Sequence, residues 1–586
     1  MNAYEWPSKF SDPEYRRKVG EMLVRHVDEA EMGIKARIDE WKTAQDIFDS
    51  IEIPHTIEIY EKKDKKFATY TWPLLNTRTV ELVSRTAGAQ ADASPTCHAV
   101  SEWTGDSTRL DNIEHDVEFL VKQAGFDRHW RSAGFSSVVK ARGFIGVEPV
   151  VKLAQLPQDF EDTAGDPIIA EPGDSYTGQI VYAGLRFWTV KPEDFRVYPA
   201  YVQNLGDSVT HGEVTHERIA DIKIKQRIGM YAEANLMPSS DEDAPSVSGE
   251  VSDAEDQKTT VCRLVTRILH DGDDYETVYE VLLAYDSKEL LSVKEKEHIS
   301  GPYFAPCILY EPDRFFPERS IFEQAIPPAR VANDMATIAV IGTAASAISS
   351  GIISGNVPED ANFGQFGIMH IPGRVDYTPI IRSFQPTASS FILQNMERLL
   401  DFHFRLTPAF LGGGESKETT ATEIAGRATG ASHGLNEFRS NLSVELVRMY
   451  NHIREIISAN FKYFKAFWKE SIYSEAEDFQ QFVQWEPAGT SAEIDGQTLM
   501  QTLALITELT NQVKSGMLSP ELVMAAATEM RVTPQLKKAI KRSLDAISAN
   551  VPAGIPGVPQ DAGGEANGAI QGAVTGALGA GRSPGI

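Results

Sequence analysis

The chain reads as an α+β protein of 586 residues. Long stretches place apolar residues at three- and four-residue steps, and separate runs of β-branched and aromatic residues are bounded by turn chemistry. The composition, 42% hydrophobic and 24% charged, lies near the average of soluble globular chains, which argues against wholesale disorder and against a membrane bundle.

The elements follow in chain order. Val19, Met22, Leu23, Val27, Ala30, Ile34, Ile38 and Trp41 predict an amphipathic helix from Pro13 to Trp41. A second pattern runs through Ile113, Val117, Leu120 and Val121, stops at Gly125, and resumes with Trp130, Ala133, Val138 and Val139, so two packed helices are expected before the strand Gly143–Val147. Residues 178–199, GQIVYAGLRFWTVKPEDFRVYP, predict sheet with a turn at 191–194. Glu213 to Glu233 returns to helical spacing with Ile219, Ile222, Ile228 and Tyr231, and concentrates Lys223, Lys225 and Arg227 in a chain of net charge −27. Leu236 to Lys258 is acidic and poor in apolar residues, the composition of a mobile surface loop. Two apolar runs between Thr259 and Tyr285, separated by Asp271-Gly272-Asp273-Asp274, predict a hairpin.

A helix starting near Ser320 carries small residues at Ala325, Ala329, Ala332, Ala336, Ala339, Gly342 and Ala345, which lets other helices approach closely. Its stretch Ile338–Ile353 is too short and too rich in Ser, Thr and Gly for a membrane span. A β-like stretch (363–380), a helix (387–406) and the flexible run GGGESKETT follow. From Thr420 apolar residues recur at helical steps for about 40 residues, a helix of roughly 60 Å. Further helical patterns occupy 499–547, with starts suggested at Ser491 and Ser519. Val551 to Ile586 is a Gly, Ala and Pro-rich tail expected to be poorly ordered.

Charge and motifs narrow the function. A net charge of −27 opposes binding by wrapping phosphates but does not exclude a protein that lets DNA slide past. Cys97, Cys262 and Cys307 lie far apart without a C-x-x-C pair, so reduced thiols are expected rather than a disulfide framework or zinc ribbon. The N-terminal residues lack a basic n-region and an apolar h-region, so no secretory signal is expected. Gly412-Gly413-Gly414-Glu415-Ser416-Lys417 departs from a phosphate-binding loop, which needs Gly before the Lys and Ser or Thr after it. A plain connector or a DNA-facing loop are the readings left open. Asp271, Asp273 and Asp274 lack the rest of a calcium loop and fit a hairpin turn. His433 has Glu437 one turn away but no second histidine at metal spacing, so no metal and no cofactor is expected. Gly430-Ala431-Ser432-His433-Gly434 matches G-x-S-x-G but falls within helical spacing, where no nucleophile elbow can form. No catalytic residue is assigned.

Three pieces, VKPEDFRVYP (190–199), PPARVANDMATIAVIG (327–342) and TATEIAGRATGASHGLNEFRSNLSVELVRMY (420–450), in this order around an inserted β-module, carry a resemblance. The chain resembles the portal, or head-to-tail connector, proteins of tailed double-stranded DNA bacteriophages, closest to the longer portals of short-tailed phages, from about Pro13 to Ile547. The resemblance implies a portal fold: a helix and sheet wing (1–212), stem helices (213–233 and 320–350) flanking a β-containing clip (234–319), and wing elements over 351–411. A tunnel loop (412–419), a long helix (420–464) and a helical crown region (465–550) complete it. It further implies a non-enzymatic homo-oligomeric ring, usually a dodecamer, at the capsid vertex of the virion and in the host cytoplasm during assembly. Such a ring conducts double-stranded DNA and docks the terminase large subunit, tail adaptors, and capsid and scaffolding proteins, with no membrane partner. On that reading Gly412 to Lys417 face DNA, Lys223, Lys225 and Arg227 form a basic cluster on the stem or channel, and Ala329, Ala332, Ala336 and Ala339 pack subunit against subunit. The alternatives are a nucleic-acid hydrolase or motor, for which no nucleotide or metal constellation is found, and a structural ring without DNA traffic.

Overall fold

The computed structural model describes residues 4–50, 73–100, 107–153, 180–239, 257–270, 273, 275–296, 301–311, 314–347, 350–354, 376–380, 386–406, 421–480 and 483–487. In chain order the helices are α1 (Pro13–Ser50), α2 (Leu74–Val83), the short α3 (Ala89–Ala91), α4 (Ser107–Gln123), α5 (Phe126–Val139), α6 (Ile219–Arg227), α7 (Ile321–Ala347), α8 (Pro386–His403) and α9 (Ala421–Trp468). The strands are β1 (Cys97–Val100), β2 (Phe144–Leu153), β3 (Ile180–Val190), β4 (Phe195–Tyr198), β5 (Thr210–Arg218), β6 (Lys258–Ile268), β7 (Thr277–Ala284), β8 (Glu289–Lys296), β9 (Tyr303–Phe304), β10 (Ser350–Ser354), β11 (Asp376–Ile380) and β12 (Gln484–Pro487).

The chain divides into two units, residues 1–414 with 434–487, and residues 415–433 with 488–586. Within the first, β4-β5-β6-β7-β8 form one antiparallel sheet and β3-β2-β9 another, while β1 pairs with β12 and β10 with β11. The first half of α1 lies on the five-stranded sheet: Val19, Leu23, Val24 and Val27 join Cys262, Leu264, Tyr279 and Val281 in one core. Its second half carries Ala44 and Ile47 into the main core, where α2, α4, α5, α7 and the C-terminal part of α9 meet β2 and β3. One 38-residue helix therefore ties two cores together. Gly125 stands at φ 72° between α4 and α5, a left-handed turn that a side chain would strain. Of the second unit the described residues are the first turns of α9.

Several expectations meet the structure directly. α1, α4, α5, β3 and β4 stand where periodicity placed them, and Ser320 starts α7 through a reciprocal cap: Glu323 N–H donates to Ser320 Oγ at 3.0 Å and Ser320 N–H donates to Glu323 Oε2 at 2.6 Å. β6 and β7 pair in register from Val261↔Ala284 to Ile268↔Thr277, the expected hairpin. α9 is longer than the spacing suggested, 48 residues, about 72 Å at 1.5 Å per residue.

Other expectations are corrected. Residues 213–233 are not one helix: Glu213 to Arg218 complete β5, with Val214 opposite Cys262, and α6 spans only nine residues after them. The β-branched pair Val214 and Thr215 decides this, because continuing the ladder satisfies their backbone groups against an existing neighbour. The strands of 258–296 do not form a separate module between two helices either, since they continue the sheet begun by β4 and β5 under α1. The stretch 469–487 is not helical crown: Ile472, Phe479, Val483 and Trp485 enter the main core, and β12 pairs with β1.

Candidate functional site

Two regions hold the residues singled out in the sequence. The first surrounds α6. Ile219 and Ile222 bury its inner face at 4% and 0% exposure, and the basic cluster then divides between two faces. Lys225 turns to Glu217, with Nζ 2.8 Å from Oε2, and lies 5.0 Å from the Tyr231 ring centroid. Burial pulls its ammonium down, but Glu217 and Tyr231 outweigh that and leave the pKa raised. Lys223 and Arg227, one turn apart, line a cleft of about 1410 Å³ whose other wall is the start of α1 and the β7–β8 turn. Arg16, Arg17 and Lys288 share that cleft. The cluster is therefore real as a charge concentration but does not lie on a long stem helix.

The second region is the pair α7 and α8, which pack against each other and are connected through the hairpin β10–β11, Ser350↔Ile380 to Ser354↔Asp376. The small-residue face expected to wait for another subunit is filled by the chain itself. Ala325, Ala329, Ala332 and Ala336 are 0%, 3%, 1% and 5% exposed, on a helix that packs against α2, α5 and α8. Ala339 is half-buried. Small side chains serve close packing, and here the close neighbour is intrachain. What α7 and α8 leave open includes several large apolar residues, Val331, Ile338 and Val340 on α7 and Phe391, Leu399 and Phe402 on α8, with Phe391 and Phe402 at 65% and 77% exposure, alongside the polar Gln324, Gln394 and Arg398. Periodicity alone could not separate these from core positions, because which stripe of a doubly apolar helix is covered depends on its neighbours.

Gly412 to Lys417, between α8 and α9, lie outside the described residues, as do Asp271, Gly272 and Asp274. Asp273 forms an ion pair with Lys9. Gly430 to Gly434 lie inside α9, so the strand that a nucleophile elbow requires does not precede Ser432. Glu437, the neighbour of His433 in sequence, pairs with Arg405. Among the described residues no three His, Cys, Asp or Glu side chains converge as a metal site, and no helix is long and apolar enough to cross a membrane. Cys97, Cys262 and Cys307 are free and buried, and burial raises each thiol above its ordinary pKa, which makes them inert packing groups.

A buried polar network holds the sheets around this scaffold. Arg263 bridges Glu148 at 2.8 Å and Glu280 at 2.7 Å and lies 5.0 Å from the Trp188 ring centroid. Burial pushes the Glu280 carboxyl up, yet Arg263 and Lys296 more than offset it and bring it down to about 2. Glu213, raised by burial, accepts from Tyr303 Oη at 2.9 Å and Trp188 Nε1 at 3.1 Å. These groups satisfy one another, the pattern of a structural network. Sequence reading passed over them because the partners come from β2, β3, β5, β6, β7, β8 and β9.

No family model and no curated protein matches the chain. Among the solved structures that share a distant likeness are two of gene transfer agent particles. One is a chain of the virion of a native gene transfer agent particle, with 11% identity and a TM-score of 0.33, covering 81% of this chain and 96% of that one. The other is a chain of the neck of an empty gene transfer agent particle, with 10% identity and a TM-score of 0.32, covering 78% and 90%. At these scores neither likeness carries an argument about this chain.

Proposed function

We propose that this chain is one subunit of a portal ring of a tailed double-stranded DNA bacteriophage, a non-catalytic conduit through which the genome enters and leaves the capsid. The observation that carries the reading is an order of parts: two helices, α7 and α8, packed together and joined through a β-hairpin, then the segment 407–420, then the 48-residue α9. This order fits the stem, clip, stem, tunnel loop and long helix that the sequence resemblance implies, with the parts taken one step later in the chain than 213–233, 234–319 and 320–350. On this reading α7 and α8 are the stem, residues 348–385 the clip, and residues 407–420, including Gly412 to Lys417, the tunnel loop. The clip docks the terminase and tail adaptors.

The net charge of −27 supports passage of DNA over capture, since an acidic wall repels phosphate and leaves few sites where a duplex can stall. The exposed apolar residues Val331, Ile338 and Val340 of α7 and Phe391, Leu399 and Phe402 of α8 supply an apolar subunit contact, because an acidic chain associates with its own copies most cheaply where it carries least charge.

The test is electron microscopy of the purified full chain together with its Phe391→Ser/Phe402→Ser variant. The wild type forms rings with a channel wide enough for a DNA duplex, and the variant stays monomeric with an unchanged circular dichroism spectrum. A wild-type monomer, or rings whose channel is too narrow for a duplex, overturns the proposal. Deleting Gly413 to Lys417 leaves the rings intact and lowers the DNA content of assembled capsids.

A further inference from the structure

With the stem taken as α7 and α8, the cleft between α6, the start of α1 and the β7–β8 turn is left without a part in the ring reading, and its construction points to a ligand of its own. Five cations line it: Arg16, Arg17, Lys223, Arg227 and Lys288. The side chains of Arg227 and Lys288 have no ion-pair partner among the described residues. Among the described residues Arg17 has one ion-pair partner, Glu21 at 3.1 Å, and the two side chains are 80% and 51% exposed, so that pair is readily exchanged for a better one. Lys288 stands at φ 59°, a left-handed position that Gly or Asn would fill more comfortably. Gly20 makes this wall possible, because a Cβ there would meet the Lys288 carbonyl oxygen at 2.2 Å. A cationic side chain is thus held at the rim by a turn and a glycine contact that bring α1 and the β-sheet together.

The occupant follows from size, charge and the state of the aromatic rings. At about 1410 Å³ the cleft exceeds the ~300 to 1,000 Å³ of small-molecule pockets, so it suits a length of polymer. Single-stranded nucleic acid would use free aromatic faces for stacking. Here Arg16 covers Trp6 at 4.4 Å from its centroid, Lys225 covers Tyr231 at 5.0 Å, and Tyr4 meets Trp6 edge-on while its hydroxyl donates to the Val293 carbonyl at 2.9 Å. Glu21, Glu233 and Glu289 interrupt the basic lining, and a phosphate backbone, which carries a charge on every unit, would have to pass them. An extended peptide can place carboxylates opposite the cations and neutral residues opposite the glutamates. We propose that this cleft binds an acidic, extended polypeptide segment of a partner protein, held through Arg17, Lys223, Arg227 and Lys288.

The experiment measures fluorescence anisotropy of a labelled peptide of alternating Glu and Ser, about twelve residues long and so up to ~40 Å extended, against the full-length chain at low salt. The peptide binds, and binding weakens as salt screens it. Arg17→Glu/Arg227→Glu lowers the affinity by at least about tenfold, the effect of two reversed contacts in a partly enclosed site. Arg17→Lys/Arg227→Lys retains binding, as does Arg128→Glu, an exposed charge outside the cleft. Thermal melts of each variant show that the fold is intact. Equal affinity for the peptide in the Arg17→Glu/Arg227→Glu variant overturns the proposal. So does tighter binding of a DNA duplex or single strand through the same residues, which would make the ligand nucleic acid. A tenfold gain in peptide affinity on replacing residues 240–256 by a Gly-Ser linker also overturns it, because the cleft would then serve the chain's own acidic segment.

Discussion

Lowering the pH from 7 to 5 should loosen the five-stranded sheet around His211, and replacing that histidine should remove the effect. His211 lies on β5 between Val197 of β4 and Val265 of β6, fully buried. Its Nδ1 is 2.7 Å from Ser208 Oγ, and its Nε2 has no hydrogen-bond partner among the described residues. Burial, with the positive charges of Arg448 and Arg267, drives its pKa from 6.5 down to about 3. The folded protein therefore refuses a proton that the opened segment accepts. Stability from this group is complete above pH 6.5 and is lost as pH falls from 6.5 toward 3. At 1.36 kcal/mol per unit the loss is about 2 kcal/mol at pH 5, or roughly 30-fold in the opening equilibrium. Hydrogen exchange by mass spectrometry reads this directly in peptides covering β5 and β6, after correction for the intrinsic pH dependence of exchange. His211→Gln, which cannot titrate, should lower protection at pH 7 and flatten the further loss at pH 5. The reasoning fails if wild-type protection is unchanged between the two pH values, or if the glutamine variant shows the same pH-dependent loss.

Other expectations concern packing and charge. Ala329→Leu should destabilise the isolated subunit by ~1 to 3 kcal/mol through overpacking against the elements around α7; urea unfolding at a concentration where the chain is monomeric measures it, and an unaffected monomer would return this face to the subunit interface. Arg263→Met should cost about 3 kcal/mol at pH 7, because it strands the buried Glu280 and the half-buried Glu148. Glu280→Gln should cost about 2 to 3 kcal/mol at pH 7 and less at pH 4, since a carboxyl lowered to about 2 contributes fully above 4.5 and loses that contribution as pH falls toward 2. Urea midpoints at the two pH values check the sign. Ser320→Ala removes the reciprocal cap of α7 and should cost ~1 kcal/mol, seen as faster exchange at residues 321–324; unchanged exchange there would show that the helix start is held by packing alone.

Local chemistry alone placed much of the fold. The apolar spacing of α1, α4, α5 and α9, the stop at Gly125, the helix start near Ser320 and the hairpin of β6 and β7 all depend on residues within a few positions of one another, so they are readable before any tertiary contact is known. Where the reading failed, a distant partner decided. Glu213 to Arg218 became strand because β6 lay alongside, and 469–487 returned to the main core because β1 offered an edge and a hydrophobic surface.

The candidate sites divide the same way. The abundance of charge at Lys223, Lys225 and Arg227 and of small residues along α7 was written in the sequence. Which cations share a cleft with Arg16 and Lys288, and which face of α7 stays open, was decided by segments distant in the chain, Arg16 and Lys223 lying more than 200 positions apart. Sequence periodicity reports that a helix has an apolar or basic stripe, but a stripe buried by the same chain and a stripe awaiting a partner have the same composition. Only the three-dimensional packing, by spending one stripe on the core, shows which surface is left to bind.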